Sequence, residues 1–189
     1  MGCRTQPLNR SNSPWSGGTL HRQQRRNSSR PLQLGRSCAQ CFWDRKGILL
    51  VDFLPPGFTV NAGVCCDTLK KLRRAIQNKR RGMLSRGVVM IHDNARPHTA
   101  AATQNLITKF GWEQSNYPPS SPDLAPSDFH LFLHLKSFLA GRRFHDDEVK
   151  EAVTTCFASQ AASFYDKGIQ KLMQRYDKSL NNGGNYVEK

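Results

Sequence analysis

Asp93 and Asp128 are the residues of this sequence whose type and setting best suit chemistry. Asp93 comes one residue after the apolar run GVVMI (87–91), and Asp128 ends the proline-punctuated loop PPSSPDLAPSD (118–128). Carboxylate oxygens are hard ligands of the kind that Mg²⁺ prefers. Two such ions about 4 Å apart can activate water or a 3′-hydroxyl and stabilise the leaving oxygen of a phosphodiester. The pattern predicts a metal-dependent phosphoryl-transfer site.

A structural interpretation of the same two acids carries equal weight. Asp93 can form a turn after its strand, and Ser127 or Asp128 can cap the helix that follows the loop. In the catalytic interpretation, Arg96 and His98 would lie near the scissile phosphate. The residues alone leave both interpretations open.

Strands and helices are predicted to alternate around these acids. GVVMI is apolar throughout, as in a strand that is buried on both faces. In parallel-rich sheets, ligands bind beyond the carboxyl ends of the strands, which is where Asp93 stands. The order of the elements predicts an α/β layered fold. The predicted strands are 47–54, 87–91 and 112–117, and the predicted helices are 65–81, 98–110, 129–139, 146–163 and about 167–180.

The charge of the chain favours a polyanionic partner. Its 189 residues carry a formal net charge of +14 and give a pI of about 10.0, and nucleic acid is the commonest partner of so basic a protein. Between residues 70 and 81 of the first predicted helix, seven cations occur with no acid. This indicates phosphate contacts, with a solvated helix surface as the alternative. No apolar run reaches the roughly 18 residues that a membrane span needs. The predicted DNA contacts are Lys70, Lys71, Arg73, Arg74, Lys79, Arg80, Arg81, Arg96 and His98.

The N-terminal segment differs in composition from the rest. Residues 1–36 contain seven Arg, five Ser and no Asp or Glu, so they are predicted to be a disordered cationic extension. Order is expected to begin near Phe42, with a folded domain over 37–182 and a tail over 183–189. The six cysteines include a lone C-x-x-C pair, and free thiols in a reducing compartment are favoured over a metal site.

Five segments resemble the C-terminal catalytic region of mariner-type transposases of the Tc1/mariner superfamily. The resemblance covers roughly residues 41–187. The segments are WDRKGILLVDFLPPG (43–57), HDNARPHTA (92–100), SPDLAPSDFHLF (121–132), GRRF (141–144) and FYDKGIQKL (164–172).

The resemblance implies a fold and a set of acids. The implied fold is ribonuclease-H-like (retroviral-integrase-like), with three acids that bind Mg²⁺ or Mn²⁺. Mariner members have 34 residues between the second and third acids, as do Asp93 and Asp128 here. This spacing favours Asp128 over Asp123 as the third acid. Asp93 and Asp128 are therefore the expected catalytic and metal-binding residues, and no other cofactor is expected.

The chain departs from the family before its W-D motif. There the family carries its first acid, in a T-G-D-E-like motif on the first strand of the sheet. The chain has no such motif, and residues 1–36 contain no acid. Asp44 and Asp52 are the first two carboxylates of the sequence, and neither is expected to substitute. The same family segment carries the central strand, so the fold is expected to be incomplete, with exposed main-chain donors and acceptors.

These observations lead to one expected function and one alternative. The chain is expected to be a nucleic-acid-binding domain of the DNA transposition and integration class, impaired in metal-dependent phosphoryl transfer by the absent first acid. Whether it is an active enzyme stays open. The alternative is a non-catalytic DNA-binding remnant, or a domesticated fragment related to a host methyltransferase–transposase fusion. The expected partners are DNA and a second copy of the chain in a homodimer, without a membrane, and the expected location is the nucleus.

Overall fold

The computed structural model describes residues 32–34, 37–55, 57–92, 95–116, 121–141, 144–183 and 187. The strands are β1 (Leu32–Leu34), β2 (Ser37–Asp44), β3 (Gly47–Leu54), β4 (Val89–His92) and β5 (Glu113–Asn116). The helices are α1 (Ala62–Lys79), α2 (Met83–Arg86), α3 (Arg96–Thr99), α4 (Ala101–Lys109), α5 (Phe132–Leu139), α6 (Asp146–Ala158) and α7 (Ala162–Asn181). A 3₁₀ turn (Pro122–Leu124) and a π-helical turn (Ser127–Leu131) precede α5.

Within the described residues, the strands form two separate sheets. β2 and β3 make an antiparallel hairpin in which Asp44 pairs with Gly47, and β1 pairs antiparallel with the start of β2. β4 and β5 pair in parallel, with Val89 beside Glu113. This order of strands and helices confirms the predicted α/β class.

Helices cover both faces of the β2–β3 hairpin. Trp43 and Ile48 pack with the apolar residues of α5, α6 and α7, whereas Phe42 and Leu49 pack with those of α1 and α4. Neighbouring side chains of a strand point to opposite faces, so each strand contributes to both clusters. The hairpin is therefore a middle layer between two layers of helices. In the described part of the chain, no helix has the length and apolar character needed to cross a membrane.

Two strands begin earlier than the expected onset of order near Phe42. β1 lies inside the segment 1–36, and its main chain pairs with residues 37–39 of β2. Main-chain hydrogen bonds are available to a polar sequence as well as to an apolar one, so composition alone misses such a strand. Residues 1–31 lie outside the described residues, and their predicted disorder stays a prediction.

The predicted helices differ from the observed ones at their ends. The helix expected over 98–110 is broken at Ala100, whose extended backbone (φ −61°, ψ 140°) separates α3 from α4. α6 ends at Ala158 and α7 begins at Ala162, so the last two helices meet earlier in the chain than the apolar periodicity predicts. A strand-like backbone angle at an alanine leaves no mark in the sequence pattern.

Asp44 and Arg80 join the hairpin to the end of α1. Arg80 Nε donates to Asp44 Oδ2 over 2.7 Å and Arg80 Nη2 donates to Oδ1 over 3.1 Å. The two side chains are only 16% and 19% exposed, respectively. Burial by itself raises the pKa of Asp44, but the hydrogen bonds from Arg80 and the backbone of Lys46 outweigh it and hold this pKa below its usual range. The pair is a fixed part of the fold.

Replacement of this carboxylate gives a pH-dependent prediction. Asp44→Asn is expected to lower the free energy of unfolding by about 1–3 kcal/mol at neutral pH, because a half-buried guanidinium loses its charged acceptor. Since the folded pKa of Asp44 is lowered, its contribution is present above the unfolded pKa of about 4 and is lost as the pH falls through the folded pKa. Urea titrations of both proteins at about pH 7 and about pH 3 measure this, and the difference should shrink at the lower pH.

Asp147 provides the matched control. It pairs with Lys150 over 2.7 Å, but its side chain is 95% exposed, and exposed pairs contribute little. Asp147→Asn should leave the unfolding free energy nearly unchanged at both pH values. An equal loss in both variants would contradict a fixed role for the Asp44–Arg80 pair.

Candidate acid site and nucleic-acid interface

The carboxyl ends of β4 and β5 lie side by side, as the catalytic interpretation requires. The two strands are parallel, and His92 pairs in register with Asn116. His92 Nε2 lies 2.8 Å from Gln114 Oε1, which fixes the imidazole at the end of β4. Asp93 follows directly but lies outside the described residues. Its predicted catalytic and metal-binding roles therefore stay predictions.

His98 is held within the protein by a contact with α1. Its Nδ1 lies 3.4 Å from Cys65 Sγ, and its ring lies 5.3 Å from that of His92. Burial raises the pKa of the Cys65 thiol, which keeps it protonated. His98 is half-buried, whereas Arg96, two residues earlier, is exposed. Of these two predicted phosphate contacts, Arg96 has the more accessible side chain.

Asp128 lies in a π-helical turn that other elements hold in place. Trp43 Nε1 donates to Ser127 Oγ over 3.1 Å, and the Asp128 N–H donates to Ala125 O over 2.9 Å. The Asp128 side chain is half-buried, and its Oδ2 is enclosed. Pro126, rather than Ser127 or Asp128, occupies the N-cap position, with no capping side-chain hydrogen bond there. The prediction that Ser127 or Asp128 caps this helix is therefore wrong. The helix opens with a π-type turn, and such turns are often found at functional sites.

Asp123 is a buried structural residue of the same loop. Its Oδ2 accepts from the Val187 N–H over 2.9 Å, and its carbonyl oxygen accepts from Arg175 Nη1 over 3.1 Å. Only 7% of the residue is exposed. These contacts bind the loop to α7 and to the C-terminal segment, so Asp123 and Asp128 have different surroundings.

Most of the predicted phosphate-binding cations already have protein partners. Lys71 binds Asp52 and Lys70 binds Asp67, each over 2.9 Å. Arg80 binds Asp44, as described above. Lys79 Nζ donates to the Leu49 carbonyl oxygen over 2.9 Å, and Arg73 lies 5.2 Å from the ring centroid of Phe110. These contacts also occupy Asp44, Asp52 and Asp67, the three acids upstream of Asp93 in the sequence.

Three of the predicted cations are exposed and unengaged. The side chains of Arg74, Arg81 and Arg96 form no hydrogen bond or ion pair with the described residues. Arg74 lies on α1, Arg81 follows that helix, and Arg96 begins α3, which packs against α1. This surface is the strongest candidate for phosphate contact.

The chemistry of Asp128 fits the expected metal. Mg²⁺ and Mn²⁺ prefer carboxylate oxygens. Asp128 has a carboxylate in the π-helical turn Ser127–Leu131. Among the described ranges, no three acidic, histidine or cysteine side chains gather as a metal-binding group. Asp93, the other expected ligand, is not among those residues. Metal binding is therefore an expectation that rests on the pair.

Two residues outside the predicted site, Trp43 and Gly168, hold this site together. Trp43 orients the π-helical turn through Ser127. Gly168 of α7 lies close to the rings of His130 and Trp43. A Cβ at this position would stand 2.5 Å from His130 Cδ2 and 2.9 Å from Trp43 Cη2. Both lie in the quoted W-D and FYDKGIQKL segments. The sequence signal was thus present, although the reason for it is tertiary.

Known proteins resemble most of this chain. The family described as Transposase (partial DDE domain) matches residues 11–86. The Mos1 mariner transposase of Drosophila mauritiana is 37% identical over 166 residues, which are 86% of this chain and 48% of that protein. The human histone-lysine N-methyltransferase SETMAR is 34% identical over 149 residues, which are 78% of this chain and 22% of that protein. The chain thus spans about half of one relative and about a fifth of the other.

Solved structures agree with these relatives. The Mos1 transposase catalytic domain with Raltegravir and Mg matches with a TM-score of 0.75 and 38% identity, over 80% of this chain and 76% of that chain. The Mos1 paired-end complex with the left transposon end matches with a TM-score of 0.76 and 32% identity, over 98% of this chain and 52% of that chain. The likeness confirms the predicted ribonuclease-H-like fold class.

Proposed function

Because the chain belongs to the mariner-type transposases, as part of their C-terminal catalytic region, we propose that it binds DNA in the cut-and-join class of phosphoryl transfer. The exposed and unengaged cations Arg74, Arg81 and Arg96 carry this proposal, because they offer phosphate contacts at no cost to an existing ion pair. Lys and Arg contacts to phosphates supply most of the sequence-independent affinity for DNA.

Relatives support the choice of partner. Mos1 transposase has been solved in a paired-end complex with its left transposon end. The chain covers 52% of that protein, so DNA binding and pairing into a homodimer are carried over as proposals. A nuclear location is part of the same proposal, since that is where chromosomal DNA lies.

Asp93 and Asp128 would hold the metal in this reaction class. The Mos1 catalytic domain has been solved with Mg and with Mn, and either ion, when bound, would supply Lewis-acid stabilisation of a phosphodiester oxygen. The hydrogen bond from Trp43 to Ser127, the residue before Asp128, supports this role because it holds the turn in place. Arg96 would bind a neighbouring phosphate.

The proposed chemistry is impaired in these 189 residues by themselves. Asp52 is bound by Lys71 and Thr68, and Asp44 by Arg80. To serve as the third ligand, either acid would have to break these contacts. If Asp44 did so, Arg80 would be left half-buried without its anion. A two-acid site is thus expected to bind metal weakly and to cut DNA slowly, or not at all.

A DNA-binding role without chemistry is the second candidate. The 34% identity with the human histone-lysine N-methyltransferase SETMAR over 149 residues favours it, because a sequence like this one occurs there within a protein that is named for another activity. The two candidates share the DNA surface and differ only in cleavage.

Removal of the unengaged charges tests the DNA surface. The double variant Arg74→Gln, Arg81→Gln is expected to lower the slope of log affinity against log salt by about two units, roughly one for each lost phosphate contact. Fluorescence anisotropy with a labelled duplex over a range of salt concentrations measures this slope.

A charge-matched variant provides the control. Lys167→Gln, Lys178→Gln removes the same charge from exposed positions of α7, which packs against β2 rather than against β3 and α4 as α1 does. Its slope should stay close to that of the wild type. Equal reductions in both double variants would mean that DNA responds to net charge alone, and the proposed surface would be rejected.

A further inference from the structure

A buried carboxylate, that of Asp123, binds a main-chain group 64 positions further along the chain. Its Oδ2 accepts from the Val187 N–H over 2.9 Å, and the residue is only 7% exposed. The half-buried Val187 also packs against Leu124 and Ala125. The hydrogen bond and this packing together form the 187 anchor of the loop that precedes Asp128.

Arg175 of α7 contacts the chain on both sides of Asp128. Its Nη1 donates to the main-chain carbonyl oxygen of Asp123 over 3.1 Å. Its Cζ lies 4.2 Å from the ring centroid of Phe129, the residue that follows Asp128. A guanidinium over an aromatic face is attracted by the ring. The loop is therefore held from two directions, by Arg175 and by the 187 anchor.

The turns that carry Asp128 are short and have only local hydrogen bonds of their own. The amides of Leu124, Ala125, Asp128 and Phe129 donate to carbonyl oxygens within 121–125, over 2.9–3.2 Å. A single turn of this kind is marginal in water, because the entropy of ordering it is hardly offset by so few bonds. Its order therefore depends on contacts with other parts of the chain.

The 187 anchor carries a cost that makes it easy to release. Asp123 Oδ1 is enclosed and has no hydrogen-bond partner among the described residues. A carboxylate oxygen that loses its water without a replacement is destabilised. Departure of Val187 would let water reach this carboxylate and recover that loss. The anchored and released states therefore differ less in free energy than the contacts alone indicate.

We propose that the 187 anchor is a releasable latch that orders the turn carrying Asp128. While Val187 is bound to Asp123, the loop is held between it and Arg175. When Val187 is released, the loop and the turn lose their fixed conformation and the rest of the fold stays intact. The change stays local because Leu124, Ala125 and Val187 belong to a cluster that is separate from the two larger ones.

Hydrogen exchange of the full chain, followed by mass spectrometry, tests the latch. Val187→Pro removes the N–H that Asp123 accepts, whereas Val187→Ala keeps it. We expect peptides covering 121–131 to exchange about tenfold faster in Val187→Pro than in the wild type, with a smaller increase in Val187→Ala. Peptides from α1 should exchange at the wild-type rate in both variants, since α1 does not belong to the cluster of the anchor.

Variants of the acceptor complete the cycle. Asp123→Ala removes the carboxylate and should accelerate exchange over 121–131 about as much as Val187→Pro does. In the double variant, Val187→Pro should add little to Asp123→Ala, because the bond is already lost. Asp123→Asn keeps an oxygen that can accept from the Val187 N–H, so it should protect the loop nearly as well as the wild type. Circular dichroism shows whether each variant is folded.

Four results would overturn the latch. They are wild-type exchange over 121–131 in Val187→Pro, equal acceleration in the α1 peptides, full additivity in the double variant, and unprotected loop amides in the wild type itself. These measurements involve neither DNA nor metal, so this inference and the proposed function can fail separately.

Discussion

Binding of the chain to duplex DNA is expected to weaken about 150-fold when salt rises from about 50 to about 200 mM. Four of the predicted phosphate-binding cations are exposed and form no ion pair or side-chain hydrogen bond with the described residues, namely Arg73, Arg74, Arg81 and Arg96. Each phosphate contact contributes about −0.9 to the slope of log affinity against log salt, so four give a slope of about −3.6. This loss follows from counterion release and needs no base recognition.

The slope of log affinity against log salt also distinguishes four phosphate contacts, the number that the structure leaves available, from the eight that the sequence predicts. If all eight lysine and arginine residues that are predicted to contact DNA bound phosphates, the slope would be about −7. The affinity would then fall by more than about 10⁴-fold over the same salt range. Anisotropy titrations with two duplexes of unrelated sequence measure the slope and the sequence dependence together. A slope near −7 would show that Lys70, Lys71, Lys79 and Arg80 leave their protein partners to bind DNA. A slope near zero would contradict phosphate binding altogether.

Replacement of Gly168 by alanine is expected to lower the free energy of unfolding by about 1–3 kcal/mol. The new Cβ would stand 2.5 Å from His130 Cδ2 and 2.9 Å from Trp43 Cη2. Neither ring can move freely, because His130 Nε2 lies 2.8 Å from Phe164 O and Trp43 Nε1 donates to Ser127. Alanine is favoured over glycine within a helix by about 1 kcal/mol, but we expect the two ring contacts to outweigh this gain.

Two further variants make the Gly168 prediction specific. Gly63→Ala makes the same change in α1, where the Cβ would meet only Asn61 Oδ1 at 3.3 Å, so its cost should be smaller. His130→Ala removes the nearer ring, and in the Gly168→Ala background the combined loss should be less than the sum of the two. Urea denaturation of the wild type and the four variants, including the double variant, gives these differences. A neutral Gly168→Ala variant would mean that α7 does not pack so closely on the turn that carries Asp128.

Strands β2 and β3 differ in how well the sequence predicts them. β3 was predicted over its observed residues because GILLVDFL is apolar and ends before a proline turn. β2 was missed over most of its length, although Ala39, Cys41 and Trp43 alternate toward one layer. Small and sulfur-containing residues weaken that period. Its pairing with β3, 47–54, is what makes it a strand.

The ion pairs that α1 and its end form with the hairpin could not be predicted from the sequence. A helix with cations and no acids over 70–81 indicates a phosphate surface when it is considered alone. In the fold, Lys71 meets Asp52 from 19 positions away and Arg80 meets Asp44 from 36 positions away. Such pairs depend on how α1 lies on the hairpin, which the local pattern does not encode. Within 70–81, Arg74 and Arg81 are the cations whose side chains have no partner among the described residues.

In the proposed function, this chain binds DNA through a transposase-type domain, and its two acids would not suffice for chemistry. Supercoiled-plasmid nicking by the purified, folded chain in Mg²⁺ and in Mn²⁺, beside Asp93→Ala and Asp128→Ala, tests it most directly. We predict that all three proteins shift the plasmid in a gel and that none nicks it above the background without protein. Nicking by the wild type that is lost in both variants would contradict the claim, because it would require a working site with a third metal ligand.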